Sequence, residues 1–189
     1  HEGLKNHRKE LKEAGEEVII PTNYVELDKY INGGFRLSTL NYLIGRPSNG
    51  KSALALNIAL NSALEKGVPV CFVSLEMPMK QIMNRLISML SIKMEDVEPI
   101  PLYKMKNKKY LSDEDWESID KMIKYTEKVP LYIEDKSVCT IAQYYALVNK
   151  YQRVYNVDAF FVDYYQLFRL PNGNKPEKEH EFAALSEGL

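Results

Sequence analysis

Gly45-Arg46-Pro47-Ser48-Asn49-Gly50-Lys51-Ser52 constrains this chain more than any other stretch. It fits the phosphate-binding pattern G-x-x-x-x-G-K-[ST], which has meaning only between a strand and a helix. The flanks meet that test: an apolar, strand-like run at 40–44 precedes it, and a long helical run begins at Ser52. Backbone N–H groups at a helix N-terminus then face a triphosphate, and the helix dipole favours its charge. Lys51 is expected to reach the β- and γ-phosphates, and the Ser52 hydroxyl to hold Mg²⁺. All eight residues are therefore candidate nucleotide-binding positions.

The remaining chain alternates strand-like and helical patterns. A run apolar nearly all round, about 51–66, predicts a helix buried between a sheet and another layer, ended by Gly67. The near-continuous apolar run 68–75 reads as a parallel strand buried on both faces. A helix is expected at about 79–91, with Ile82, Met83, Leu86, Ile87 and Leu90 at helical spacing. Ser112 with Asp115 caps a helix at about 113–127, whose apolar side is Trp116, Ile119 and Ile123. A third strand is expected at 131–133, a Thr140-capped helix at about 141–155, and a fourth strand at 157–162 closing on Asp163. The result is an α/β domain with a mainly parallel sheet flanked by helices. Ahead of the loop, Asn23 and Glu26 form a capping-box variant for a short helix at about 24–31, ended by Gly33-Gly34. Residues 1–17 carry few apolar positions and read as a linker or arm, or else as a helix that docks on a neighbouring subunit; 18–189 form the domain.

In such a sheet the ligand lies outside the carboxyl ends of the strands. Glu76 and Asp163 both fall at strand ends, far apart in sequence. Asp163 is a candidate Mg²⁺ carboxylate, directly or through water, or else a cap for the next turn. Glu76 is a candidate catalytic base that orients or deprotonates an attacking water, or else a surface carboxylate. Asp135 is a weaker candidate and reads as a turn residue. Arg46, Arg85, Arg153 and Arg169 are arginine-finger candidates by residue type only. Residues 95–111 read as irregular, and Tyr103-Lys104-Met105-Lys106-Asn107-Lys108-Lys109-Tyr110 as a solvated surface loop or as a contact for a nucleic-acid backbone. The tyrosines spaced along 141–155 read as core and rim.

With a net charge of −1, any nucleic-acid binding must be local or assembled from several chains. No run approaches the 18 or more apolar residues of a membrane span. Cys71 and Cys139 sit in apolar runs and read as buried thiols in a reducing compartment; His1, His7 and His180 lie in polar ends with no zinc spacing.

Several stretches together resemble the DnaB-type replicative DNA helicases of bacteria and their phages. The loop is similar to that family's "ARPSxGK[ST]", with Asn49 where Met is common. Ser74-Leu75-Glu76-Met77 resembles its "SLEM" box. Asp163-Tyr164-Tyr165-Gln166-Leu167 resembles "DYLQL", with Tyr165 for Leu. Ile20-Pro21-Thr22 followed by Glu26-Leu27-Asp28 resembles the family's opening "IPTGFxxLD", with Asn23 for Gly. The resemblance runs from about residue 18 onward. It implies a RecA-like P-loop NTPase domain, hexameric, that uses ATP and Mg²⁺ to translocate on single-stranded DNA and unwind duplex. Lys51 and Ser52 would bind phosphate and Mg²⁺, Glu76 would be the catalytic carboxylate, and Asp163 the Walker B acid. The implied partners are a homo-hexamer, single-stranded DNA, primase and a helicase loader, in a bacterial cytoplasm, with the gene carried by cell or phage and no membrane involved. By the same resemblance the DNA-contacting loops, the γ-phosphate-sensing Gln, the arginine finger and at least one core strand follow Leu189, so the domain is expected to be incomplete at its C-terminal end. A primase-binding domain is expected to precede the linker. The rival expectations are another RecA-type ATPase, recombinase or clock-type, and a nucleotide-binding adaptor that regulates a helicase.

Overall fold

A computed structural model describes residues 19–136, 139–164 and 168–169. The arm expected at 1–17, Tyr165 to Leu167 of the last box and the polar segment after Arg169 lie outside the described residues.

A parallel sheet of three strands forms the centre. Its middle strand, β3 (Val70–Ser74), pairs on one side with β4 (Leu131–Asp135) and on the other with β6 (Ala159–Asp163). β3 is buried along its whole length, as its unbroken apolar sequence requires. Its side chains alternate between two cores. Val70 and Phe72 face a layer built by α2 (Lys51–Lys66), α3 (Met79–Lys93) and α5 (Asp113–Thr126), through Leu56, Leu60, Leu86, Ile119 and Met122 among others. Cys71 and Val73 face α6 (Ile141–Tyr155), through Tyr144 and Tyr151. Helices on both faces explain why β3 has no polar side.

The helix boundaries follow their sequence signals. α2 begins at Lys51 and stops at Gly67, which takes the left-handed conformation that ends helices without a Cβ penalty. α5 opens on a complete capping box between Ser112 and Asp115, and α6 on one between Thr140 and Gln143.

An antiparallel pair precedes the phosphate loop: β1 (Ile19–Ile20) against β2 (Phe35–Arg36), enclosing the short helix α1 (Val25–Tyr30). Gly34 makes this pairing possible. It sits at φ 146°, and a Cβ there would collide with the Ile20 carbonyl. The unit is fastened to the middle of α2. Asn61 Nδ2 donates to the Thr22 carbonyl (3.2 Å), Ser62 Oγ to the Pro21 carbonyl (3.0 Å), and Asn23 Nδ2 to the Asn61 carbonyl (3.3 Å). A smaller parallel pair joins β5 (Cys139–Thr140) to β7 (Phe168–Arg169).

Four expectations need correction. The strand expected at 40–44 joins no sheet among the described residues, and its side chains are exposed, Ile44 by 86%. A parallel strand exists through the ladder its neighbours supply; an apolar run reveals the tendency but not the neighbour. The Asn23–Glu26 capping box does not form. Asp28 closes this turn from inside the helix instead, accepting from Thr22 N (2.9 Å), Thr22 Oγ1 (2.7 Å) and Asn23 N (3.0 Å). α5 buries Ile119 and Met122, while Trp116 and Ile123 stay substantially exposed. Residues 95–111 are not irregular throughout: they hold α4 (Leu102–Lys106) and a 3₁₀ turn, Lys108–Tyr110.

Candidate functional site

The phosphate loop is shaped by its backbone. Asn49 N donates to the Arg46 carbonyl at 3.3 Å, closing a turn through Ser48, which itself has φ 63°. Gly50 follows at φ 80°, in the left-handed region, with nothing within 4 Å of where a Cβ would stand. Glycine reaches that conformation without strain and leaves the space beside the helix start open to a ligand. The Gly50 carbonyl then accepts from Leu54 N (2.9 Å), so α2 begins at once. The loop residues Gly45 to Gly50 are exposed, and Lys51 and Ser52 are half-buried. The Lys51 ammonium donates to the Arg46 carbonyl at 3.0 Å, arching over the loop it belongs to.

Ser52 is where the loop meets the sheet. Its hydroxyl donates to Asp163 Oδ1 at 3.0 Å, across 111 residues of sequence. Asp163 is the last residue of β6 and is 6% exposed. Its other oxygen, Oδ2, is buried without a hydrogen-bond partner among the described residues. A buried carboxylate oxygen left unpaired is costly, and a cation is the natural partner for it. A hydroxyl beside a carboxylate is also the hard-oxygen pair that Mg²⁺ accepts while keeping most of its ligands from phosphate and water. Among the described residues no three His, Cys, Asp or Glu side chains cluster as a self-contained metal cage. The donor set thus fits a cation that arrives with a phosphate.

Glu76 stands at the apex of a turn that β3 builds at its end. Ser74 Oγ donates to the Met77 carbonyl (2.9 Å) and accepts from Met77 N (3.0 Å). That two-way contact buries Leu75 and Met77 and leaves Glu76 between them exposed. Leu75 N donates to the Asp163 carbonyl at 2.8 Å, tying this turn to the end of β6. Ser74 pairs in register with Asp163 on one side and Asp135 on the other, so the three polar strand ends lie in one row.

Asp135 belongs to this row but has a structural task. Its Oδ2 accepts from Met79 N at 2.8 Å and caps α3, whose own capping position is Pro78 and offers no side-chain acceptor. Sequence reading treated Asp135 as a turn residue and gave no role to Ser74. Both act across space or within a turn, and only the "SLEM"-like spelling hinted at Ser74. Of the arginine-finger candidates, Arg46 lies in the loop, Arg85 on α3 and Arg153 on α6; the side chain of Arg169 lies outside the described set. Cys71 and Cys139 are free and buried. Burial and the nearby Glu134 charge push the Cys71 thiol up to about 12, and burial raises Cys139, so neither is a ready nucleophile.

A family model described as the DnaB-like helicase C-terminal domain matches residues 19–189. The replicative DNA helicase DnaB of Helicobacter pylori (strain J99) is 36% identical over 190 residues, covering 98% of this chain and 35% of the relative. That of Pasteurella multocida is 34% identical over 175 residues, covering 90% and 35%. The chain therefore spans about a third of the length of these curated relatives. Among solved structures, an isolated ATPase domain superposes with a TM-score of 0.76 at 24% identity, over 98% of this chain and 63% of that one. A DnaB-like replicative helicase studied for its interactions with primase superposes with a TM-score of 0.75 at 24% identity, over 97% and 44%. These likenesses give the fold: a RecA-type ATPase domain with a parallel sheet flanked by helices.

Proposed function

The chain belongs to the DnaB-like helicase C-terminal domain family, and on that premise we propose that it is the ATP-hydrolysing motor of a hexameric replicative helicase that moves on single-stranded DNA and unwinds duplex. The observation that carries the site assignment is the 3.0 Å contact between Ser52 of the phosphate loop and Asp163 at the end of β6. Two residues 111 positions apart meet where a phosphate-bound cation would sit.

The chain's groups then divide the work of phosphoryl transfer, which is mostly positioning and charge neutralisation. Backbone N–H groups from Gly45 to Ser52 receive the phosphates. Lys51 leaves the Arg46 carbonyl, 3.0 Å away, for the β- and γ-phosphate oxygens. Ser52 and Asp163 hold Mg²⁺. When bound, that ion screens the charge that builds on the phosphate oxygens. Glu76, exposed at the apex of its turn, orients a water for attack on the γ-phosphate. Hexamer formation, a primase partner and a loader belong to the same reading, as does a cytoplasmic site of action.

The full-length protein carrying Lys51→Ala tests it. ATP turnover and unwinding of a 5′-tailed fork should both disappear. Unwinding that survives the substitution refutes the assignment. Turnover that is near zero and not stimulated by single-stranded DNA would point to an adaptor, and strand exchange without unwinding to a recombinase.

A further inference from the structure

The basic, aromatic stretch after α3 is held in place by several anchors. Ile100 N donates to Ser91 Oγ on α3 at 2.8 Å. The Lys104 ammonium reaches Asp115 Oδ2 on α5 at 2.7 Å. Met105 packs against the main core. Asn107 accepts from Lys109 N at 3.3 Å and so caps the 3₁₀ turn that carries Lys108 and Tyr110. On this scaffold Tyr103 and Tyr110 are each 59% exposed, their rings edge to face at 5.9 Å. Lys106, Lys108 and Lys109 are exposed beside them, with no ion pair among the described residues. Next to them, between α3 and α4, lies a cleft of about 270 Å³ lined by Gln81, Asn84, Arg85, Leu102 and Lys106.

Two large aromatic rings kept in solvent, with four cations along one surface, fit a polyanion whose bases offer flat faces. In duplex those faces are stacked away; in a single strand they are free for tyrosine. An acidic peptide would satisfy the lysines but gives no reason for the rings. We propose that this face of α3, α4 and the 3₁₀ turn is a docking surface for single-stranded DNA, its phosphates along Arg85, Lys106, Lys108 and Lys109 and its bases against Tyr103 and Tyr110. Only the choice of DNA over RNA rests on the motor reading; the surface itself is separate from the nucleotide site and shares no residue with it.

The test uses the full-length protein and a fluorescein-labelled oligo-dT, with anisotropy followed across a salt series. Tyr110→Ala should weaken binding roughly 5- to 100-fold. Lys108→Gln with Lys109→Gln should lower the slope of log affinity against log salt by about 1.4, the share of two phosphate contacts on a single strand. ATP turnover without DNA should be unchanged in both. Photo-crosslinking of wild-type protein to iododeoxyuridine-substituted DNA should label Tyr103 or Tyr110, which reads the contact without any substitution. Wild-type affinity and slope in both variants, with no label in this segment, overturn the proposal alone. Absence of DNA binding by the wild type overturns the motor reading with it. A change in sedimentation of the variants with DNA binding intact would make the face a contact between copies, and would also overturn it.

Discussion

The Ser52–Asp163 contact should respond in opposite ways when it is cut from its two ends. Ser52→Ala removes the one hydrogen bond that the buried carboxylate has among the described residues, leaving both oxygens without a protein partner. A hydrogen bond to a charged group contributes about 1.5–3 kcal/mol, most of it the cost of stranding the buried partner. At ~2–4 °C per kcal/mol for a domain of this size, nucleotide-free protein should melt roughly 3–12 °C lower. Asp163→Asn keeps an oxygen for the Ser52 hydroxyl and removes the buried charge, so its stability should stay within about 1 kcal/mol of wild type or rise above it. Both variants should lose ATP turnover and most of the stabilisation that Mg²⁺ with a non-hydrolysed ATP analogue gives the wild type. Differential scanning fluorimetry with and without that ligand reads both effects. The double variant should recover much of what Ser52→Ala loses, because the two changes share one contact. If Asp163→Asn destabilises the free protein as much as Ser52→Ala does, the stranded-charge argument is wrong.

Two further outcomes follow from packing and charge. Phe72→Ala, at a fully buried position in the central strand, should cost about 3–5 kcal/mol and lower the midpoint of urea unfolding with little change in its slope. The Lys104 ammonium, and then the Ser112 backbone N–H, hold the Asp115 carboxyl below its ordinary value of 3.8. A depressed carboxyl stabilises the fold above its ordinary value, and that contribution fades as pH falls through the lowered one. The stability gap between wild type and Asp115→Asn should therefore be constant above about pH 5 and shrink below 3.8; a gap that widens in acid would contradict the pairing.

Local signals carried much of this fold. α2 and α6 run over the residues their sequence cues mark, because Gly67 and the Thr140–Gln143 box are punctuation written within a few residues of the helix they bound. β3 was legible because a strand buried on both faces must be apolar throughout. The errors share a different cause. The run at 40–44 has strand composition, but pairing is a property of two segments and only one was in view. Trp116 was assigned inward by hydrophobicity, whereas α5 turns Ile119 and Met122 to the core, and the direction of a helix face is set by what it packs on. The site shows the same division. Glu76 and Asp163 were found as carboxylates at strand ends, while Asp135 capping α3 depends on two strands lying in register and has no trace in either segment alone.

The fastening of Pro21, Thr22 and Asn23 to Asn61 and Ser62 has a mechanical consequence. Those hydrogen bonds grip α2 about ten residues after Lys51, about 15 Å along its axis. A helix of that length, packed on both sides of the grip, is a stiff rod. Tension on the chain just ahead of Ile19 is thus delivered to the shaft whose other end carries Lys51 and Ser52. The phosphate loop is anchored at its C-terminal side to a lever with a handle outside the sheet.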